Sequence, residues 1–347
     1  MLSTQATKQA ATQHGHAHKR SKVDITVIVC TYNRAKSLQR TLDSLRQMSV
    51  PPELECELIV VDNNSTDNTR ATVEEFAKTA AFNVRCVFEP RQGLCHARNA
   101  GVANAKGEII VFTDDDVFVA PEWLRELMDT FRKFDCAGAG GKNVPLWAGL
   151  ARPKWLCPPG TYYLGDGPLL DLDLGEEATL TNVPPWGLNM AFKKSAFEKY
   201  GLFRTDLDLV GSGGLLGGDI DFGKRLIRAG EKIAYSPKAV VHHPVTEHRI
   251  TRAYFLSYYL RLGRTYARLN PLPPEAVLWF GVPCWIFIEL SKSCLSWMTT
   301  FETVKRFYYK AHTYCYLARI SETWKLRREA PRTASSREQN QAERQPI

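Results

Sequence analysis

The sequence predicts an α/β protein with a mostly parallel sheet flanked by helices and a helical extension at its C-terminal end. Two observations lead to this prediction. Apolar, strand-like runs alternate four times with helix-like segments in residues 24–131, at a spacing that suits right-handed β–α–β crossovers. After Arg249 the composition changes to tyrosine, leucine and arginine, and Pro271 interrupts a helical segment. A length of 347 residues also exceeds the usual single domain, so an appendage is expected.

The first third of the chain supplies the elements of this sheet in order. Residues 1–22 are polar and lack helix or strand periodicity, so we expect a disordered tail there. The predicted strands are residues 25–30, 57–61, 84–88 and 109–112. The predicted helices contain Leu38 to Met48, Val73 to Ala77, Leu94 to Ala105 and Trp123 to Phe131.

Composition and charge indicate a globular protein with no nucleic-acid partner. Hydrophobic residues make up 44% of the chain and charged residues 24%, which is ordinary for a soluble globular core. Much of the formal net charge of +8 lies in the terminal tails, where basic residues are usually solvated, so no nucleic-acid partner is expected. His14, His16 and His18 alternate in the N-terminal tail, but a metal site is not expected in such a polar, flexible segment.

Cysteine usage and the N-terminus indicate the compartment. The nine cysteines are scattered and form no Cys-x-x-Cys pair, which indicates free thiols in a reducing compartment rather than a zinc site or a disulfide framework. The N-terminus contains no apolar segment of a signal peptide. We therefore expect a cytoplasmic location, at the inner face of the plasma membrane if the C-terminal helices contact lipid.

Three consecutive aspartates, Asp114, Asp115 and Asp116, follow the fourth predicted strand. Burying several carboxylates without a partner is costly, so the simplest explanation is a bound cation. Mg²⁺ and Mn²⁺ accept carboxylate oxygens and often bridge a few carboxylates to substrate phosphates. The alternative is a solvated acidic loop that caps the helix starting near Pro121.

Each of the four predicted strands ends in a polar cluster. Parallel strands bring such ends to one edge of the sheet, which is where open α/β sheets bind their ligands. Polar loops are common in any protein, which is the alternative explanation. No Gly-x-Gly-x-x-Gly follows the first strand and no P-loop motif occurs, so a dinucleotide-binding Rossmann domain and a P-loop NTPase are both disfavoured.

Four ordered motifs resemble the GT-A fold of glycosyltransferase family 2, over roughly residues 24–243. Residues 27–34 (Val-Ile-Val-Cys-Thr-Tyr-Asn-Arg) and 60–67 (Val-Val-Asp-Asn-Asn-Ser-Thr-Asp) are similar to the first two nucleotide-binding strand ends. Residues 93–101, with Ala-Arg-Asn, look like the helix beside the donor pyrophosphate, and residues 114–116 match the Asp-x-Asp signature. The resemblance implies a Rossmann-like sheet in residues 23–248, with a nucleotide-binding half (23–136) and an acceptor-side half (137–248).

The resemblance also implies a donor and a metal. The expected donor is a UDP- or GDP-sugar, with Asp62 contacting the base, and the expected cofactor is Mn²⁺ or Mg²⁺ on Asp114 and Asp116. His242, at the end of a short strand, would complete the metal shell or touch the diphosphate; a structural role, and His243 as the residue that faces the site, stay open. The expected donor-binding residues are Thr31, Tyr32, Asn33, Arg34, Asp62, Asn64, Arg91, Arg98, Asp114 and Asp115.

The resemblance places the acceptor side and the catalytic base in the second half. Trp186, Asn189 and Gly218 are expected on the acceptor side, and Asp219 is expected to be the base. The family commonly has Glu-Asp where this chain has Gly218-Asp219, and a helix cap is the alternative role of Asp219. Because Asp219 and Asp221 cannot point the same way on a helix, one should face the cleft and the other pair locally.

Two segments of the second half have no clear periodicity. The glycine-rich residues 137–141 allow either close backbone packing or a turn. Residues 145–180 are predicted to form a long loop region over the acceptor side. Its aromatic residues either stack on a sugar or form a local hydrophobic cluster. They are Trp147, Trp155, Tyr162 and Tyr163.

The C-terminal part is predicted to be a helical extension (249–325) followed by a disordered basic tail (326–347). Residues 276–290 are almost wholly apolar, but this run is shorter than the ~20 residues that a spanning helix needs. Tryptophans flanked by Arg and Lys suit a helix at a membrane surface. A helical hairpin packed on the domain or in a dimer is the equal alternative.

These expectations combine into a function. We expect an inverting, metal-dependent glycosyltransferase that moves a sugar from a nucleotide-sugar to a hydroxyl acceptor on a glycan, a lipid or another molecule. A nucleotidyltransferase of similar α/β fold is a second hypothesis, and a non-catalytic membrane-bound scaffold is a third.

Overall fold

The computed structural model describes residues 23–208, 214–270 and 275–342. The main strands are β1 (Ile25–Thr31), β2 (Cys56–Asp62), β3 (Asn83–Phe88), β4 (Ile109–Asp114), β5 (Phe118–Val119), β6 (Gly138–Leu146), β7 (Thr179–Thr181), β8 (Met190–Lys193) and β9 (Ile233–Pro244). A separate hairpin comprises β10 (Leu278–Trp279) and β11 (Val282–Pro283). The helices are α1 (Ala35–Leu45), α2 (Thr69–Ala77), α3 (Leu94–Asn104), α4 (Trp123–Phe134), α5 (Asp166–Leu169), α6 (Lys194–Tyr200), α7 (Gly218–Arg228), α8 (Arg252–Leu269), α9 (Cys284–Thr299) and α10 (Thr303–Ala342).

One mixed sheet forms the centre of the molecule, in the order β3–β2–β1–β4–β8–β6–β9–β5, with β7 paired to β9. The first four strands are parallel, as predicted. β8 is antiparallel to both β4 and β6, so β6 and its parallel neighbour β9 run in the same direction as β4. The carboxyl ends of β1, β2, β4, β6 and β9 therefore lie at one edge of the sheet.

Helices cover both faces of the sheet, and the alternation of side chains along β1 separates the two layers. Val27 and Val29 point to the face covered by α1, α2 and α4, whereas Ile28 points to the face covered by α3, α6 and α7. On α1, Leu38 and Leu42 are four residues apart and fully buried, which places them on one helix face against the sheet.

The glycine-rich start of β6 permits close packing rather than forming a turn. A Cβ atom on Gly141 would lie 1.9 Å from the carbonyl oxygen of Ala239, and one on Gly138 would lie 2.6 Å from the ring of Phe192. Any larger residue would push β6 away from its neighbours in the sheet.

A buried carboxylate, Glu57, ties the start of β2 to its surroundings. It accepts hydrogen bonds from Thr26 Oγ1, from the backbone N–H of Lys106 and from Arg85 Nη2, each at 2.8 Å. Burial alone would raise the pKa of Glu57, but these bonds outweigh it and hold the pKa below its ordinary value. Stability from Glu57 is therefore present above the ordinary glutamate pKa and is lost as the pH falls below it.

We expect Glu57→Gln to lower the free energy of unfolding by about 3 kcal/mol at pH 7, because a buried charge-assisted network loses its acceptor. Urea denaturation at pH 7 and at pH 4 measures this, and the loss should shrink at the lower pH. Glu75→Gln is the matched control, since Glu75 on α2 forms an exposed pair with Lys78, and its loss should leave the free energy of unfolding nearly unchanged. Equal losses in the two variants would contradict the prediction.

The aromatic residues of the long loop region pack against the C-terminal helices. The ring of Trp155 lies 5.0 Å from that of Phe255 on α8 and 4.8 Å from that of Phe307 on α10, and Tyr162 lies 5.3 Å from Tyr308. Trp147 and Tyr163 belong to the same cluster. Of the two sequence-based alternatives, the structure thus shows hydrophobic clustering, with partners that are distant in the sequence.

α8 and α10 pack together on the domain as a helical pair. Gly263 allows this approach, since a Cβ there would lie 2.1 Å from the carbonyl oxygen of Cys315, and Arg268 Nε donates to Glu322 at 2.8 Å. α10 continues through residues 326–342, where a disordered tail was expected. Residues 325–330 (Lys-Leu-Arg-Arg-Glu-Ala) are good helix formers that extend a helix nucleated by packing, and α10 then continues through Pro331. None of the helices within the described ranges combines the length and the apolar character needed to cross a bilayer.

Two remaining points from the sequence concern the cysteines and the segments outside the described residues. All nine cysteines are free thiols. The N-terminal tail with its three histidines lies outside the described residues, as do positions 211–213 (Gly-Ser-Gly) of the glycine-rich segment 211–218 that precedes Asp219.

Candidate active site

The strand ends meet as predicted. Thr31 at the end of β1 is in register with Asp62 at the end of β2, and Cys30 is in register with Asp114 at the end of β4. Thr31 Oγ1 donates to Asp115 at 2.7 Å. The four clusters of the parallel half therefore form one polar edge.

The three aspartates have different neighbours because successive side chains point in different directions. Asp114 lies 3.8 Å from Nη2 of Arg98, a buried guanidinium on α3. Asp115 is buried, and Arg34 Nη1 donates to it at 3.1 Å and to Asp116 at 3.0 Å. Cations thus separate the three carboxylates and offset their mutual repulsion.

These surroundings drive the pKa values apart. Burial, reinforced by the charge of Asp116, raises the pKa of Asp115 to about 6. Burial also pushes the pKa of Asp116 upward, but His243, Arg34 and Arg249 together hold it well below its ordinary value. The pKa of Asp114 is raised by loss of hydration, against the effect of Arg98. Asp116 is therefore the member of the cluster most firmly held as a carboxylate at neutral pH.

His243, not the predicted His242, lies beside the cluster. Nε2 of His243 is 3.5 Å from Asp116, which is too long for a strong hydrogen bond. His243 is 2% exposed, and neither ring nitrogen has a hydrogen-bond partner among the described residues. Side chains alternate along a strand, so His242 points to the opposite face of β9. The alternation could have shown this from the sequence, because His243 shares a face with the core residue Val241.

Arg249 was also missed by the sequence analysis. It follows β9, and its Nη2 lies 4.0 Å from Asp116. Together with Arg34, it lines a cavity of about 510 Å³ beside Asp116 and His243. No local motif marks Arg249, because only the path of the chain after β9 brings it to this edge.

The cluster fits a divalent cation that is completed by substrate. Within residues 23–208, 214–270 and 275–342, no three carboxylate, imidazole or thiol groups converge on one point as a ready-made metal cage. Mg²⁺ and Mn²⁺ are commonly held by one or two carboxylates together with substrate phosphates, so a complete protein cage is not required. Asp116 with the imidazole of His243, which has no hydrogen-bond partner among the described residues, supplies such a partial set, and Asp114 precedes Asp116 by two residues.

The loops after β1 and β2 are tied to each other. Asn33 and Asn64 adopt left-handed backbone conformations (φ 52° and 66°), which asparagine tolerates better than most residues. Asn33 Oδ1 accepts from the backbone N–H of Thr66 at 2.7 Å. Asp62 is buried and accepts from the N–H of Ser65 at 2.9 Å, whereas the side chain of Tyr32 is half-exposed. Tyr32 and Asn64 thus face solvent, where a base could reach them.

Asn63, directly after β2, was not singled out from the sequence, and its side chain holds the loop after β3. Asn63 Nδ2 donates to the carbonyl oxygens of Glu89 and Arg91, and its Oδ1 accepts from the N–H of Gly93. The predicted donor-binding residue Arg91 makes a two-pronged contact with Glu89, which lowers the pKa of Glu89 to about 2. The guanidinium of Arg91 is therefore paired with a carboxylate of the protein itself.

Asp219 and Asp221 diverge at the start of α7, as their spacing predicts. Asp219 Oδ2 accepts from the N–H of Gly187 at 2.6 Å. Asp221 turns away and pairs with Arg225 at 2.9 Å and with Arg204 at 3.3 Å. Asp219 is thus the carboxylate on the cleft side of the helix.

The expected acceptor-side residues occupy different positions. Gly218 is needed for space, since a Cβ there would lie 2.4 Å from the sulfur of Cys95. Trp186 is partly buried against the core. Asn189 does not face the cleft, because its Nδ2 donates to the carbonyl oxygens of Lys142 and Ala239 and its Oδ1 accepts from Trp123 Nε1. Those bonds use its amide inside the protein, which corrects its placement on the acceptor side.

Arg98 joins the two halves of the site. It carries electrostatic interactions with both Asp219 and Asp114. A Cβ atom on Gly187 would lie 2.0 Å from Arg98 Nη2 and 3.0 Å from Asp219 Oδ2, so both groups flank Gly187. The carboxylate on α7 and the acidic cluster on β4 therefore share one buried cation.

We expect Gly187→Ala to lower kcat about 100-fold, because the added methyl group displaces Arg98 or Asp219 and small misplacements of reacting groups are costly. Steady-state kinetics with thermal denaturation would measure the two effects separately. Gly175→Ala controls for the backbone cost of replacing a loop glycine: nothing lies within 4 Å of its Cβ position, but its φ of 115° makes alanine strained, so stability should fall while kcat stays unchanged. A Gly187→Ala enzyme with unchanged kcat would show that this contact does not position the reacting groups.

The chain is similar in sequence to known proteins. The model of the family described as Glycosyl transferase family 2 matches residues 26–145. The chain is 34% identical over 254 residues to the Succinoglycan biosynthesis protein ExoM of Rhizobium meliloti (strain 1021), covering 71% of this chain and 74% of that protein. It is 29% identical over 236 residues to a Glucosyl-dolichyl phosphate glucuronosyltransferase of Haloferax volcanii, covering 65% and 70%.

A solved structure confirms the predicted GT-A fold. The mannosyltransferase PcManGT from Pyrobaculum calidifontis, in complex with GDP-Man and Mn²⁺, superposes with a TM-score of 0.57 and 19% identity, covering 88% of each chain. Identity this low supports the fold alone. The family model and the long match to ExoM establish the relationship in sequence, and the chain therefore belongs to glycosyltransferase family 2.

Proposed function

We propose that this glycosyltransferase inverts the anomeric configuration of its donor sugar, depends on a divalent metal ion, and uses Asp219 as its catalytic base. The observation that carries the proposal is the position of Arg98 between Asp219 and Asp114. A base and a diphosphate-binding cluster on either side of one buried cation suit a reaction in which an acceptor attacks while a diphosphate leaves. Membership of glycosyltransferase family 2 argues against the nucleotidyltransferase and the non-catalytic scaffold.

The proposed reaction is a single displacement at the anomeric carbon. The acceptor hydroxyl oxygen forms a bond to this carbon from the face opposite the diphosphate. Its proton passes to the carboxylate of Asp219, and the bond from the anomeric carbon to the phosphate oxygen breaks with its electron pair on the nucleoside diphosphate. The hydrogen bond from the Gly187 N–H fixes one oxygen of Asp219 and aims the carboxylate.

Protein cations would bind the charge that develops on the leaving diphosphate. Arg98 lies on the Asp114 side of the cluster, and Arg34 and Arg249 lie on the Asp116 side. Preorganised charges at this position stabilise the transition state without reorganisation. A divalent cation held by Asp116, His243 and Asp114 would supply further positive charge to the diphosphate oxygens.

The donor and acceptor are proposed by class. Tyr32, Asp62 and Asn64 lie at the ends of β1 and β2 and would contact the nucleoside of a UDP- or GDP-sugar. The similar mannosyltransferase was solved with GDP-Man and Mn²⁺, which supports such a donor. The relative named Glucosyl-dolichyl phosphate glucuronosyltransferase supports an acceptor hydroxyl on a lipid-carried sugar. We further propose that this acceptor is used at the inner face of the plasma membrane.

A donor panel tests the proposed reaction. The purified protein would be incubated with UDP- and GDP-sugars, Mn²⁺ or Mg²⁺, and membrane-extracted acceptors. Release of nucleoside diphosphate and the anomeric configuration of the product would then be followed by NMR. The proposal expects inversion and no turnover after chelation. A product with retained anomeric configuration would overturn the inverting mechanism. Turnover that chelators leave unchanged would overturn the metal dependence.

Two neighbouring histidines provide a matched test of the metal site. We expect His243→Ala to weaken Mn²⁺ binding in the presence of nucleoside diphosphate by about 10- to 100-fold, because a neighbouring nitrogen ligand or hydrogen-bond partner is lost. His242→Ala should bind Mn²⁺ like the wild type, since its ring lies on the other face of β9. Isothermal titration calorimetry measures both. Equal Mn²⁺ affinity in the two variants would remove His243 from the metal site.

A further inference from the structure

The C-terminal extension exposes an apolar surface that no described part of the chain covers. We call it the α9 face and define it by Trp279, Phe280, Trp285, Ile288, Leu295 and Met298. Phe280 is 87% exposed and Met298 is 64% exposed, and the other four are between 43% and 59% exposed. Soluble monomers seldom expose this many large apolar side chains together, so the surface is typical of a binding site for another molecule or a membrane.

The four α9 members of this face lie on one side of the helix. At about 100° per residue, Trp285, Ile288, Leu295 and Met298 fall within an arc of roughly 140°. The opposite side carries Ile286, which is buried against α10 and the β10–β11 hairpin. α9 therefore has apolar residues on two sides. The side with Ile286 packs against the described chain, and the side with Trp285 does not.

The hairpin tip extends this face. Trp324 Nε1 donates to the carbonyl oxygen of Phe280 at 2.9 Å, and Arg327 Nη1 donates to that of Gly281 at 2.7 Å. These bonds to α10 hold the backbone, and the rings of Trp279 and Phe280 lie 6.2 Å and 6.4 Å from Phe287 on α9. The exposed position of Phe280 is thus a fixed feature of the hairpin.

Basic residues lie beside the α9 face, although one of them, Lys292, is paired with Glu289 at 2.8 Å. Residues 249–329 contain thirteen Lys or Arg residues and five Asp or Glu residues, a difference of +8 that equals the net charge of the whole chain. Lys292 lies within the same arc of α9. The guanidinium of Arg319 lies 4.7 Å from the ring of Trp285, and Arg327 supports the hairpin. Apolar and basic residues are therefore combined on one surface.

We propose that the α9 face docks on an anionic lipid bilayer, with α9 lying in the plane of the interface and the hairpin tip inserted. An apolar stripe flanked by Trp, Lys and Arg suits the boundary between acyl chains and anionic headgroups. A second copy of the chain would fit less well, because a symmetric contact would bring Lys292 and Arg319 of each copy towards the same positive surface. The inference deepens the proposed membrane-side acceptor, but it requires no catalysis.

Another helix of the extension, α8, contacts the segment that leads to the proposed catalytic carboxylate. Thr265 Oγ1 on α8 accepts from the N–H of Leu216 at 3.0 Å, three residues before Asp219. Thr265 and Leu269 also lie nearest to the space above Gly217. Membrane docking through the extension would therefore hold the entrance of α7 close to acceptors at the same surface.

Vesicle co-sedimentation of the full chain tests the proposal. The wild type should bind phosphatidylcholine vesicles that contain phosphatidylglycerol and bind pure phosphatidylcholine vesicles at least tenfold more weakly. The double variants Trp279→Ser/Phe280→Ser and Leu295→Gln/Met298→Gln should each bind the anionic vesicles at least tenfold more weakly than the wild type. Leu180→Gln/Leu202→Gln is the matched control, because these residues are also about half-exposed but lie on β7 and after α6. It should bind like the wild type.

Other outcomes would overturn the proposal. The proposal would be wrong if both α9-face variants bound anionic vesicles as tightly as the wild type. It would also be wrong if the wild type did not bind anionic vesicles. A dimer that light scattering detects without lipid, and that the α9-face substitutions dissociate, would assign the face to a second copy. Calorimetry with UDP or GDP, without lipid, would confirm that each variant is folded. It also separates a failure of docking from a failure of the proposed donor site.

Discussion

Replacing Asp219 with Asn is expected to reduce kcat about 10³-fold while leaving nucleotide binding nearly unchanged. The amide keeps the shape of the carboxylate but cannot accept the proton of the acceptor hydroxyl, and general-base catalysis typically contributes 10²- to 10⁴-fold. The base lies across Arg98 from the diphosphate-binding cluster, so its loss should appear in kcat and not in the affinity for UDP or GDP. Single-turnover assays and isothermal titration calorimetry measure the two quantities separately.

The control for this variant is Asp206→Asn. Asp206 is also in the second half of the domain, but it forms a partly exposed pair with Arg204 and makes no contact with Gly187 or Arg98. It should retain turnover within about twofold. If Asp219→Asn transferred sugar at the wild-type rate, Asp219 would be a helix cap and the base would have to be sought elsewhere.

Asp116→Asn is expected to reduce metal-stimulated transfer about 10³-fold, the second of the two largest effects. Asp116 is the carboxylate that three neighbouring cationic or imidazole side chains hold in its ionised form. Its loss removes a ligand oxygen and leaves Arg34 and Arg249 without their shared carboxylate, and the loss of one preorganised electrostatic contact costs about 10²- to 10³-fold. Titration of turnover against Mn²⁺ concentration measures the loss.

Raising the Mn²⁺ concentration should rescue Asp116→Asn only in part, because both affinity and positioning are affected. Asp129→Asn on the exposed side of α4 serves as the control and should respond to Mn²⁺ like the wild type. Full metal-dependent turnover by Asp116→Asn would exclude this residue as a ligand and would direct attention to Asp114 and Asp115.

The comparison of α7 with β9 shows which site residues local pattern can predict. On α7, the spacing of Asp219 and Asp221 forces the two side chains apart, and the structure places them as that rule requires. On β9, strand alternation held the same kind of information, since it groups His243 with Val241. The sequence-based prediction named His242 and left His243 open, although this alternation favours His243.

Other residues could not have been placed by local rules. Asn189 stands in a motif next to the expected acceptor site, yet its amide is used by Trp123, Lys142 and Ala239, which lie far from it in the sequence. Arg249 reaches Asp116 only because the chain turns back after β9. The aromatic residues of the long loop found partners on α8 and α10, more than 90 residues away.

The sequence by itself determined the parallel half of the sheet, the meeting of its polar strand ends and the family, because periodicity, strand-end chemistry and motif order are local properties. The tertiary structure alone decided how the three aspartates are neutralised, which histidine joins them, and that Arg98 stands between the acidic cluster and Asp219. It also decided that one side of α9 lacks a partner within the described chain. The physical reason is that ionisation, hydrogen-bond satisfaction and burial depend on groups brought together from distant parts of the chain.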